Sequence, residues 1–202
     1  MAHINIEKDV PGIRSLVNFR PETGKPLYAL VQTLLRGINA LTEAERELIA
    51  AYVSNRNECT FCTSSHAAAA RYVYGEDNYL VDEVLQNMEQ SGINDKMKAL
   101  LNIAGKVQLN GKEVLQGDVI AAKIAGADDR QIHDTVLIAA TFCMFNRYVD
   151  GLASLTPTSD ATYREMGKHM VDNGYHFTKP IVKITDGQRR MKKSSILKKA
   201  TA

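Results

Sequence analysis

The chain has 202 residues, 45% hydrophobic and 24% charged, with 25 Lys and Arg against 23 Asp and Glu. This composition excludes a disordered tail, and the lack of any run of about 18 apolar residues excludes a helical membrane span. Three cysteines make no disulfide scaffold and the charge-broken segment 1–20 is no secretory signal, so a soluble, cytoplasmic protein of one domain, or two closely fused halves, is expected.

Strand patterns are nearly absent; the brief alternation Ile181-Val182-Lys183-Ile184 stands alone. Pro21 and Pro26 bracket a predicted loop, and a short helix over 27–35 follows, closed by Gly37. Thr42-Glu43-Ala44-Glu45 reads as a capping box, in which the hydroxyl accepts a backbone N–H and the glutamate reaches back. Leu48, Ile49, Tyr52 and Val53 then share one helical face. Asn55-Arg56-Asn57 predicts a stop. The next helix starts near Cys59 or Thr60, runs through Ala67–Ala70 and ends near Tyr74 at Gly75. Further helices are predicted at about 77–90, 94–109, 115–125, 129–153 and 159–173 from the same periodicity, with breaks at Gly92, Gly111, Gly126 and Pro157. The expected architecture is all-α, a multi-helix bundle with short connections, forming a single domain over 1–178.

A basic C-terminal tail follows over 179–202, with eight basic residues against Asp186, or +7; the rest of the chain carries −5. Such a tail is a solvated segment or a strap for a neighbouring subunit. It lacks the interleaved aromatics of a nucleic-acid surface. A faint repeat also exists. Glu47-Leu48-Ile49-Ala50-Ala51 recurs as Val136-Leu137-Ile138-Ala139-Ala140, an offset of 89. Two degenerate helical repeats or chance similarity both account for it. The offset carries Cys59 onto Tyr148, Cys62 onto Gly151 and His66 onto Leu155, so a second copy would have kept the helix without the chemistry.

The chemically informative stretch is Cys59-Thr60-Phe61-Cys62-Thr63-Ser64-Ser65-His66. On a helix, Cys62 lies roughly 300° around from Cys59, and His66 follows one turn later, so two thiols and an imidazole share a face. A helix N-terminus favours thiolate, and a neighbouring base can take the proton. Thiolate, second thiol and proton shuttle are the parts of redox or peroxide chemistry. A zinc clip is an alternative, but its further ligands (Cys143, His133, His169, His176) are scattered. Two packing cysteines with a surface histidine are another. Glu47 lies on the preceding helix, near the inner edge of its apolar face. It needs a partner there, which His66 could supply; otherwise it is a solvated glutamate or pairs with Arg46. Asn146, Arg147 and Asp150 lie on the long helix, where Arg147 and Asp150 are spaced for an ion pair. Cys143 reads as buried core. Tyr72, Tyr74 and Tyr79 border the pocket or a subunit contact.

Glu47, eleven residues, Cys59-x-x-Cys62-x-x-x-His66 resembles the signature of the AhpD-like alkylhydroperoxidases within the carboxymuconolactone decarboxylase superfamily. Phe19-Arg20-Pro21-Glu22-Thr23, the segment 45–54 and Phe145-Asn146-Arg147-Tyr148-Val149-Asp150-Gly151 resemble its peroxidase-related branch. The resemblance covers about 10–175. It implies an AhpD-like all-α fold assembling as a homo-oligomer (dimer, trimer or hexamer). It also implies a dithiol/disulfide cycle without metal or organic cofactor, a hydroperoxide substrate and a dithiol reductant. It makes Cys62 the peroxide-attacking thiol, Cys59 the resolving thiol, and His66 and Glu47 the proton relay. Proximity to His66 agrees on Cys62, whereas the helix dipole favours Cys59. The chain departs from the alkylhydroperoxidase proper at Phe61, where that enzyme has a histidine, so its lipoyl-linked donor is not carried over. Phe61 would make the pocket more apolar or anchor the core. The decarboxylase branch typically lacks the cysteine pair, which disfavours lactone decarboxylation. A protein disulfide reductase or relay, and a non-enzymatic oligomer with a redox-sensing or zinc-binding CxxC, are the competing functions.

Overall fold

Helix follows helix wherever the sequence supplies caps and apolar spacing. The computed structural model describes residues 2–75 and 79–177. Its helices are α1 (Ile13–Phe19), α2 (Pro21–Arg36), α3 (Glu43–Arg56), α4 (Thr60–Tyr74), α5 (Leu80–Asn87), α6 (Asp95–Leu109), α7 (Gln116–Ile124), α8 (Asp129–Gly151) and α9 (Asp160–Asn173). Short 3-10 turns occupy Met88–Gln90 and Gly111–Glu113, and no strand occurs among the described residues. The all-α expectation holds. The isolated alternation at 181–184 and the basic tail over 179–202 lie outside the described residues. No described helix is long and apolar enough to cross a membrane.

The Thr42 box forms as read: Glu45 N–H donates to Thr42 Oγ1 at 3.2 Å, and Thr42 N–H to Glu45 Oε2 at 2.7 Å. A second box, Asp128 with Gln131, opens α8. The predicted loop between Pro21 and Pro26 is instead the start of α2. Pro21 occupies the first helical position, where no N–H is required. Pro26 removes one bond, to the carbonyl of Glu22, but both residues are exposed, so water solvates that carbonyl. Helix α1 was not predicted. It lies so close to α2 that a Cβ on Gly24 would sit 2.5 Å from the Val17 carbonyl oxygen.

Helix α3 is the axis of the molecule. Ten of its fourteen residues are buried, not the single face that the spacing predicted. It packs most extensively on α4, and also on α8 and α6. Helix α4 is in turn covered by α9, so Ala67, Ala69 and Ala70 are almost wholly inaccessible. Small residues permit this crossing. A Cβ on Gly167 of α9 would meet backbone atoms of Ala68 and Ala69 at 2.6 and 2.7 Å. Gly167→Ala is therefore expected to destabilise the fold by about 1–2 kcal/mol, because backbone overpacking outweighs the better helix propensity of alanine. Urea unfolding checks this; an unchanged or higher midpoint would contradict so close a crossing.

The offset of 89 has a spatial counterpart. Asn57 Nδ2 donates to Oδ1 of its offset partner Asn146 at 2.8 Å. Cys59 and its partner Tyr148 meet in one apolar cluster.

Candidate active site

The α3–α4 hairpin sets the site. Asn57, Glu58 and Cys59 turn the chain, with Glu58 at φ 58° and Cys59 N–H donating to the Ser54 carbonyl at 3.1 Å. The two helices run back along each other from this turn, and Glu47 of α3 meets His66 of α4 across them. His66 Nδ1 is 2.7 Å from Glu47 Oε2. Glu47 is 0% exposed and carries two further donors on Oε1: Arg36 Nη2 and the Tyr175 hydroxyl, both at 2.6 Å. Burial alone would push this carboxyl up. The His66 charge and hydrogen bond, then Arg36 and Tyr175, hold it below the ordinary glutamate value. Burial and the Glu47 charge push the Tyr175 phenol well up, so it remains a donor. An ionised Glu47 accepts the Nδ1 proton of His66, which leaves Nε2 as the basic nitrogen. Edge contact with Phe142, centroids 4.5 Å apart, fixes the ring.

Arg46, the alternative partner, does not reach Glu47. Its guanidinium donates to the carbonyls of Leu34, Gly37 and Thr42. Arg36 takes that place, and also donates to the Leu35 and Met170 carbonyls. Neither Arg36 nor Tyr175 was singled out from sequence. Arg36 ends α2, where a cation reads as a helix-dipole partner. Tyr175 follows the turn after α9, and its N–H is anchored by Gln32 Oε1 at 2.6 Å. Gly174 makes this possible: it takes φ 68°, and a Cβ there would collide with Gln32.

Both cysteines are buried free thiols. They differ in outlook. Cys62 lines an apolar cavity of about 70 Å³ with Phe61, Ser65 and His66, closed by Phe142 and Phe145 of α8 and by Tyr175. Cys59 is 0% exposed and does not line it; it sits among Ile6, Leu16 and Val149. Its hydrogen bond to Cys62, then burial and the Cys62 charge, push the Cys59 thiol far up. The helix-dipole preference for Cys59 is thus outweighed locally. Phe61 does both things considered for it. Its ring presses on Gly12, where a Cβ would lie 2.0 Å away, and it also faces the cavity.

Other candidates resolve individually. Asn146 joins a buried network with Ser54 and Asn57. The expected Arg147–Asp150 ion pair does not form; Arg147 donates to the Cys143 carbonyl one turn back at 2.9 Å. Cys143 is half-buried, not fully buried. His133 pairs with Asp134 on the surface, and His176 is exposed. His169 is locally bonded, with Asn173 Nδ2 3.0 Å from its Nδ1, and it also lines the cavity. Tyr72 binds Lys168 beside a separate cleft, Tyr74 packs on the core, and Tyr79 is exposed. Among the described residues, no three His, Cys, Asp or Glu side chains are grouped to hold a metal ion.

Residues 21–106 match the model of the Carboxymuconolactone decarboxylase family, a segment containing Glu47, Cys59, Cys62 and His66. The fold is similar to the crystal structure of an uncharacterized peroxidase-related protein from Silicibacter sp. TM1040. That match has a TM-score of 0.70 and 27% identity, over 77% of this chain and 79% of that one. It is equally similar to an uncharacterized peroxidase-related protein from Ralstonia eutropha JMP134 described as an alkylhydroperoxidase AhpD core. There the TM-score is 0.70 and the identity 27%, over 79% of this chain and 82% of that one. No curated protein matches. The resemblance drawn from the motif is borne out in family and fold.

Proposed function

We propose that this AhpD-like protein is a hydroperoxide reductase that cycles Cys59 and Cys62 between dithiol and disulfide. One observation carries the reading. Cys62, alone of the pair, faces an apolar cavity beside a histidine whose other nitrogen is held by a buried carboxylate.

The steps follow from that placement. His66 Nε2 takes the Cys62 proton. The thiolate attacks the hydroperoxide; an S–O bond forms, the O–O bond breaks, and the leaving alkoxide takes the proton from His66 to depart as an alcohol. Sulfur has lost two electrons and is now a sulfenic acid. Cys59 sulfur then attacks Cys62 sulfur; the S–S bond forms, the S–O bond breaks, and hydroxide leaves with the Cys59 proton as water. A dithiol reductant returns two electrons and two protons by thiol–disulfide exchange. Both sulfurs lie inside the surface, which suits a small peroxide rather than a protein disulfide.

Trapping tests the order of events. With Cys59→Ser, hydroperoxide plus dimedone is expected to give an adduct on Cys62, read by peptide mass. In Cys62→Ser no adduct should form on Cys59. The reverse pattern would exchange the two roles.

A further inference from the structure

The cavity in front of Cys62 is smaller than a bulky organic hydroperoxide. Its volume is about 70 Å³, whereas benzene occupies an apolar cavity of about 150 Å³. Cys62 itself is only 4% exposed. A bulky peroxide therefore reaches the thiol only if part of the wall moves. Of the described residues that line the cavity, all but Gly174 and Tyr175 lie on helices of the packed bundle. Those two open the irregular segment 174–177 that follows α9. A hinge is built into its start. Gly174 takes φ 68° and ψ −167°, a conformation essentially confined to glycine. Beyond it the segment is held by contacts to α2 and α3. Tyr175 N–H donates to Gln32 Oε1 and its hydroxyl to Glu47 Oε1, both at 2.6 Å. Phe177 meets Tyr28 edge-on, ring centroids 6.2 Å apart, and Tyr28 is part of the same wall.

We propose that Tyr175 decides the size of hydroperoxide that Cys62 accepts, as the latch of a strap hinged at Gly174. Latched, the strap admits a molecule the size of hydrogen peroxide; lifted, it makes room for a bulky organic one. This rests on the peroxidase reading and specifies how that site selects its substrate. Bond making and electron transfer proceed as above. Lifting breaks hydrogen bonds and ring contacts without unwinding a helix, which makes it a local opening. A substrate that needs the lifted state reacts in proportion to the fraction of chains that are open, whereas a small one does not. Tyr175 also donates to Glu47, but losing that bond slows both peroxides alike and cancels in their ratio.

Two rate ratios read the strap, each in the full, reduced chain. The first is oxidation by cumene hydroperoxide relative to hydrogen peroxide. It should rise at least about tenfold in Tyr175→Ala, because the open fraction no longer limits the bulky substrate. Gln32→Ala releases the strap from a residue that does not line the cavity, and should raise the ratio too. The second ratio needs no peroxide chemistry. Alkylation of Cys62 by iodoacetanilide relative to iodoacetamide, located by peptide mass, should rise in the same variants. Circular dichroism matching the parent separates a lifted strap from an unfolded chain. Either ratio unchanged in a folded Tyr175→Ala, or in Gln32→Ala should the first variant not fold, overturns the latch. A raised alkylation ratio, with neither peroxide oxidising the pair faster than free cysteine, refutes the peroxidase reading and leaves the strap.

Discussion

Cys62→Ser is expected to abolish peroxide-driven disulfide formation while leaving the helical fold intact. The hydroxyl matches the thiol in shape but is not a nucleophile at neutral pH, so the rate should fall by at least about a thousandfold. Cys59 cannot substitute. It does not line the cavity, and its thiol is held protonated by the hydrogen bond to Cys62 and by burial. The fold should tolerate the change, because serine replaces one sulfur by oxygen at a position that borders the cavity. Hydroperoxide consumption and far-ultraviolet circular dichroism check the two halves. Retained turnover in a folded variant would remove Cys62 from the chemistry.

The second large effect is expected at Glu47. One buried carboxylate accepts from His66, Arg36 and Tyr175, so its removal strands three donors, one of them a permanent cation. Glu47→Ala should cost about 3–5 kcal/mol, as expected for breaking a buried ion pair by deleting one partner. Glu47→Gln preserves volume and should fold, but it no longer stabilises a protonated His66. Its peroxide step should slow by about 10²–10⁴-fold. The pH dependence has a definite sign. The folded carboxyl sits below its unfolded value, so its stabilisation is complete above the ordinary glutamate range and is lost as pH falls through the lowered value. Acid unfolding followed by circular dichroism should therefore be less steep in Glu47→Gln than in the parent. A stable, fully active Glu47→Ala would show that this carboxylate neither holds the fold nor orients His66.

Local chemistry was legible where local rules decide. The Thr42 box, the stop at Asn57, the start of α4 at Cys59 and its end at Gly75 all follow from residues within one turn of the boundary. The Glu47–His66 pair was also legible, because a carboxylate near the inner edge of an apolar helix face needs a partner and the next helix offers His66. Arg36 and Tyr175 were not legible. They reach Glu47 from separations of 11 and 128 residues, across helices whose relative placement depends on Gly24, Gly167 and Gly174. The helical status of Pro26 turned on the exposure of Glu22, which a lone proline does not reveal.

Rapid mixing of the fully reduced protein with cumene hydroperoxide, followed by mass, tests the central claim most directly. The account predicts one equivalent of peroxide consumed per chain, conversion to a Cys59–Cys62 disulfide, and a rate far above that of free cysteine. Oxidation no faster than a free thiol, or oxidation ending at a sulfenic acid without the disulfide, would contradict it.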